Sequence, residues 1–154
     1  MKGANASEVG EILLDRDSGV WFGEDMGISF KFEPHEEFLH CKASGQFGFE
    51  DACLLIRDVL SESAQRGATK VLVDCLEMGG SPTVVERYGL AEYLAHELID
   101  HISARKRFPR LAFLGKEPLV DPNRLGEIVA TNSGVQMKTV ERMEDALKWL
   151  GDSG

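Results

Sequence analysis

Lys70-Val71-Leu72-Val73-Asp74-Cys75, followed by Leu76-Glu77-Met78-Gly79-Gly80 and then Ser81-Pro82-Thr83, is the stretch that decides the fold. Its first six residues form a short, nearly continuous apolar run, the composition of a parallel strand covered on both faces. The next five read as a loop. Ser81 is a good N-cap and Pro82 suits the first helical position, so a long helix is expected to open there. Val84, Tyr88, Ala91, Leu94, Ala95, Leu98 and Ile102 recur at helical spacing and form its expected buried stripe.

Downstream, the alternation of strand and helix continues. Arg110 to Leu114 reads as the next central strand. Asp121-Pro122 repeats the cap-plus-proline start, with Leu125, Ile128 and Val129 facing inward and Ser133-Gly134 at the end. Val135 to Val140 alternates as a strand. Met143 to Leu150 makes a last helix with Ala146, Leu147 and Leu150 on its apolar side, and Gly151 stops it.

Upstream, Ile28-Ser29-Phe30-Lys31-Phe32 has the strand period, Glu33-Pro34-His35-Glu36 turns the chain, and Phe38 to Ser44 returns as a second strand. Leu39, Cys41 and Ala43 share one side of it. Two strands joined by a short turn predict an antiparallel hairpin. Gly45 to Gly48 breaks that strand. Phe49 to Gln65 then follows helical spacing, with Phe49, Ala52, Cys53, Ile56, Val59 and Leu60 on one face and Gly67 as the stop. Residues 1–27 are the least readable. Glu11 to Leu14 and Val20 to Phe22 flank Asp15-Arg16-Asp17-Ser18-Gly19, which suits either an accessory hairpin or a tail.

The resulting order is β-β-α-β-α-β-α-β-α. It predicts an α/β fold, a mainly parallel mixed sheet of about five strands with an antiparallel N-terminal edge hairpin and about four helices. The expected organisation is an extension over 1–27, one domain over 28–151 and a tail over 152–154. A chain of 154 residues suits one domain and buries a core without disulfide or metal.

Charge narrows the function. Seventeen basic residues against 26 acidic ones give a net charge of −9. Phosphate-backbone binding needs Lys and Arg clustered on one face, so no nucleic acid is expected as partner. Docking on anionic lipid is disfavoured for the same reason. The densest basic group, Arg105, Lys106, Arg107 and Arg110, falls between a helix and a strand and reads as a solvated turn. Met1 to Gly10 has no apolar stretch of the signal-peptide kind, and no run approaches membrane-spanning length, so a cytoplasmic protein off the membrane is expected. Cys41 and Cys75 in apolar strands and Cys53 on a helix suit a reducing compartment as small core residues.

From Ile28 to Gly151 the chain resembles the SpoIIAA-like group of the STAS superfamily, which includes sulfate-transporter and anti-sigma factor antagonist domains. The similar segments are Gly45, Phe47 and Phe49-Glu50-Asp51 opening the first helix, then Lys70-Val71-Leu72-Val73-Asp74. Gly80-Ser81-Pro82-Thr83 with Arg87 and Tyr88 follows. Val129-Ala130-Thr131-Asn132-Ser133-Gly134 and Glu144-Asp145-Ala146-Leu147-Lys148-Trp149-Leu150 complete the match. The resemblance implies a SpoIIAA/STAS-like fold and a non-enzymatic regulatory or protein-interaction module. It implies a protein partner and admits a homodimer. Antagonists of this superfamily carry a phosphorylatable serine in an Asp-Ser-Ser-Gly-type turn after the third strand, where this chain has Gly79-Gly80-Ser81-Pro82-Thr83.

Ser81 and Thr83 are therefore the binding or phosphoacceptor candidates, with Gly79 and Gly80 opening the backbone to a ligand or partner. A helix start favours anions through its free N–H groups and dipole. The same residues also read simply as a cap and a turn. Arg87, one turn beyond Thr83, is expected to meet an anion at the helix start or to pair with Asp74. Asp74 ends a central strand, where open α/β sheets bind ligands.

No catalytic residue, metal site or cofactor is expected. His96 and His101 imitate a zinc motif, but five residues of helix set their directions roughly 140° apart, and zinc needs them one turn apart. A second function remains open, a carrier of a small or lipophilic ligand of CRAL-TRIO type, motivated by Phe30, Phe32, Phe38, Phe47 and Phe49 clustered in the first hairpin and helix. More often such residues are core.

Overall fold

Apolar residues alternate in Ile28–Glu33 and run unbroken through Val71, Leu72 and Val73, and the computed structural model turns both patterns into one sheet. The structure describes residues 12–15, 20–23, 27–33 and 35–151, the first two segments by backbone alone. The strands are β1 (Ile12–Asp15), β2 (Val20–Gly23), β3 (Ile28–Glu33), β4 (Leu39–Gln46), β5 (Lys70–Gly79), β6 (Arg110–Leu114) and β7 (Met137–Val140). The helices are α1 (Phe49–Arg66), α2 (Val84–Ser103), α3 (Leu125–Asn132) and α4 (Met143–Gly151). Strand order in space equals order in sequence. β1 to β4 pair antiparallel, and β4 to β7 pair parallel.

Residues 28–151 thus hold the five-stranded mixed sheet and four helices that the sequence predicts. The hairpin that was one of two readings of the N-terminal segment forms, and extends the sheet through Trp21 opposite Phe30. Its turn, residues 16–19, and residues 1–11 lie outside the described residues.

Because the parallel strands are added in one direction, right-handed crossovers place α1, α2 and α3 on the same face. Val71 and Val73 of β5 pack there with Leu55, Val59 and Leu94. The other face is closed by α4, whose Ala146 and Leu150 cover Leu72, Ala112, Leu114 and Val140. Each Leu or Val removed from water here contributes about 1.5–3 kcal/mol. Trp149 fastens α4 to the sheet: its indole N–H donates to the Leu111 carbonyl at 2.9 Å, and the Arg110 guanidinium lies 4.4 Å from its ring centre. Arg110 is therefore packed, while Arg105, Lys106 and Arg107 are exposed as expected of a turn.

Several local expectations fail for identifiable reasons. Gly45 does not break β4. It stays in the strand with φ of +114°, and a Cβ there would lie 2.0 Å from the Gly27 carbonyl oxygen. β5 does not stop at Cys75. Residues 76–79 continue as strand because Ser44, Gly45 and Gln46 offer them a partner beyond a register shift. α3 begins at Leu125 rather than at Pro122, since the Asp121 carboxylate accepts the N–H groups of Asn123 and Leu125 and closes a separate turn first.

Candidate functional site

The start of α2 differs from its sequence reading. Thr83, not Ser81, is the N-cap. Its Oγ1 accepts the Glu86 N–H at 3.1 Å, and its own N–H donates to Glu86 Oε1 at 2.9 Å, a reciprocal capping box. Pro82 precedes the cap and is buried rather than occupying the first helical turn. Ser81 is left exposed, its hydroxyl without a partner among the described residues.

Gly79 and Gly80 are held by packing against the end of β4. The Gly79 carbonyl accepts the Phe47 N–H at 2.9 Å. Gly80 has φ of +113°, and a Cβ on it would approach Phe47 Cβ to 2.8 Å, so no larger residue fits. The glycines make the turn and present Ser81 beyond it.

Arg87 and Asp74 are not brought together. Arg87 donates to the carbonyl oxygens of Leu119 at 2.9 Å and Pro118 at 2.7 Å, and so anchors the segment after β6. Asp74 lies on the opposite side of β5, in step with Leu72. One carboxylate oxygen accepts the Leu76 N–H at 3.0 Å, and the other is 3.7 Å from His40 Nε2. His40 Nδ1 is 3.7 Å from Glu33, which pairs with Lys31 at 3.2 Å. These residues form a polar ladder across β3, β4 and β5. At 3.7 Å the His40 contacts are beyond hydrogen-bond range, and its buried Nε2 has no hydrogen-bond partner.

The exposed face of α2 is the larger departure. Val84, Tyr88 and Ile102 were expected inside, and are 67%, 47% and 64% exposed. Val85 and Ile99 join them, whereas Ala91 and Leu94 are buried. The helix carries more apolar residues than one buried face accommodates, and α3 covers only part of the remainder.

Between the helix layer and the C-terminal ends of β5, β6 and β7 lies a cavity of about 170 Å³. Ala52, Val73, Ala91, Phe113 and Met137 supply its apolar wall, and Arg87, Asp121, Arg124 and Glu127 its polar rim. Backbone hydrogen bonds from Leu125 and Asn123 hold the Asp121 carboxyl below its ordinary range. Burial pushes the Cys75 thiol, also on the wall, up to about 12, with the Asp74 charge adding to it. Sequence reasoning missed Arg124 and His40. Strand alternation placed His40 away from the α1 face, but only the register of β4 against β5 aims it at Asp74.

The fold is similar to an anti-sigma factor antagonist from Mycobacterium paratuberculosis, at 13% identity and a TM-score of 0.49, over 91% of this chain and 100% of that one. It is similar also to an uncharacterized protein with a SpoIIAA-like fold from Shewanella loihica, at 21% identity and a TM-score of 0.45, over 84% of this chain and 98% of the other. No family model matches the chain, and no curated protein does. At identities and TM-scores this low the likenesses say nothing of what this chain binds.

Among the described residues no three His, Cys, Asp or Glu side chains are grouped to hold a metal ion. No helix there is long and apolar enough to cross a membrane.

Proposed function

We propose that this chain is a non-enzymatic regulatory module that docks a protein partner on the exposed face of α2, with Ser81 as its point of control. The carrying observation is the apolar stripe on that helix. At about 100° per residue, Val84, Tyr88, Ala95, Ile99 and Ile102 fall within roughly 60° of one another. Exposed Val84 and Tyr88 near one end of this side and Ile99 and Ile102 near the other favour a protein surface over solvent.

Ser81 supports a switch placed at the end of that stripe. A phosphate on its hydroxyl meets the free N–H groups of the first helical turn and adds nearly two negative charges beside Val84 and Val85. Thr83 is the weaker acceptor because its hydroxyl closes the capping box. Asp74 and Arg87 serve this reading as supports of the sheet and of the loop behind α2, and Gly79 and Gly80 as the turn that presents Ser81. The unpaired cysteines suit a reducing cytoplasm, and a second copy of the chain is the other occupant the stripe admits.

The test is retention of proteins from cell extract by the wild type and by Ser81→Glu. A partner held by one form and released by the other supports the switch. Identical retention by both removes it.

A further inference from the structure

We propose that the cavity beneath α2 binds a compact apolar molecule bearing one carboxylate, its body against Ala91, Val73 and Phe113 and its anionic group on Arg124. This inference does not depend on the α2 docking surface.

Size is the first argument. A dry cavity of about 150 Å³ lined by Leu, Ile and Phe accepts one benzene ring. The cavity here measures about 170 Å³, so it suits a single ring or a short branched chain and is too small for a lipid. Its wall is overwhelmingly hydrocarbon.

The rim decides the charge. Its acidic groups are already occupied: Glu127 accepts the Thr139 N–H at 2.7 Å, and Asp121 accepts two backbone N–H groups. Arg87 is committed to two carbonyls. Arg124 alone on the rim keeps a buried donor, Nε, with no hydrogen-bond partner. A buried donor left without a partner has lost its hydration with nothing in return, and an incoming acceptor replaces it. A carboxylate matches the guanidinium fork in shape and charge.

The surroundings favour an anion too. Arg124 also borders a groove of about 540 Å³ that contains Lys138, Arg142 and Lys148. Glu141 and Asp145 also line this groove, and Arg142 pairs with Asp145 at 3.2 Å, but four basic side chains against two acidic ones leave a local positive balance in a chain of net charge −9.

Titrating the full chain with benzoate and, separately, with benzene tests the assignment by amide NMR. Benzoate is expected to shift the amides of Val73, Ala91, Phe113 and Met137 and to bind at least tenfold more tightly than benzene. Arg124→Gln is expected to weaken benzoate at least tenfold and leave benzene unchanged, with Arg124→Lys intermediate. Ala91→Leu, which fills the cavity, is expected to abolish both. Benzoate that leaves these amides unmoved, or binds no better than benzene to the wild type, overturns the proposal without reference to any variant. So does unchanged benzoate affinity in a folded Arg124→Gln.

Discussion

Thr83 and Glu86 exchange two hydrogen bonds at the start of α2, the Glu86 N–H to Thr83 Oγ1 and the Thr83 N–H to Glu86 Oε1. The box removes the Thr83 hydroxyl from chemistry and leaves the one at Ser81 exposed. Thr83→Ala should therefore cost about 1 kcal/mol of stability in urea unfolding, and Ser81→Ala less than about 0.5 kcal/mol. Phosphopeptide mapping of protein from cells should find modification at Ser81 in preference to Thr83.

Arg87 ties α2 to the segment after β6 through the Pro118 and Leu119 carbonyls. Hydrogen bonds from a charged donor are worth about 1.5–3 kcal/mol, so Arg87→Met should lose about 2 kcal/mol. Amide hydrogen exchange checks the cause: residues 116–120 should exchange faster in the variant, while β4 and β5 keep their protection.

Gly45 combines a left-handed φ with a carbonyl oxygen where its Cβ would sit. Gly45→Ala must move either β4 or the strand entry at Gly27. A loss of at least about 2 kcal/mol is expected by thermal unfolding. The neighbouring Ser44→Ala, in the same strand without these constraints, should change stability far less.

Asp58 is half-buried, and loss of hydration raises its pKa against the lowering effect of Arg57. A carboxyl whose folded pKa lies above its unfolded value binds protons more readily when folded, so its ionised form weighs against folding at neutral pH. Lowering the pH through the raised folded value removes that weight. Asp58→Asn should thus be at least as stable as wild type at pH 7, and any advantage should vanish below about pH 4, the ordinary carboxylate range. A variant less stable at pH 7 would mean the Arg57 contact at 3.5 Å outweighs burial.

All three thiols are pushed up by burial, Cys41 well above its ordinary value and Cys75 to about 12. Since the thiolate is the nucleophile, none should alkylate quickly in the folded protein at pH 8. Intact mass after iodoacetamide treatment should show Cys53 modified first, and Cys41 and Cys75 only on unfolding.

The sheet was readable because Val71, Leu72 and Val73 need cover on both faces and Ile28, Phe30 and Phe32 on one. Periodicity alone reports those demands. It does not report how many helix faces the sheet can cover. Val84, Tyr88 and Ile102 have the spacing of a core stripe, yet only Ala91 and Leu94 of that helix are fully buried, and the outer residues meet water. The Ser81 cap failed more locally: a Thr followed three residues later by Glu outcompetes a Ser two residues earlier because it satisfies two N–H groups at once. His40 with Asp74, and the rim with Arg124, join residues from separate elements. Their meeting depends on strand register and helix placement, which no single stretch of sequence carries.

Docking through α2 is tested most directly by charging the stripe. Val84→Glu and Ile99→Glu lie on water-exposed positions of the stripe and should leave thermal stability within about 0.5 kcal/mol of wild type. Quantitative mass spectrometry of proteins retained from cell extract should show one partner held by wild type and lost by the folded double variant, with the Ser81→Glu form shifted in the same assay. Undiminished retention of that partner by the double variant would contradict the account.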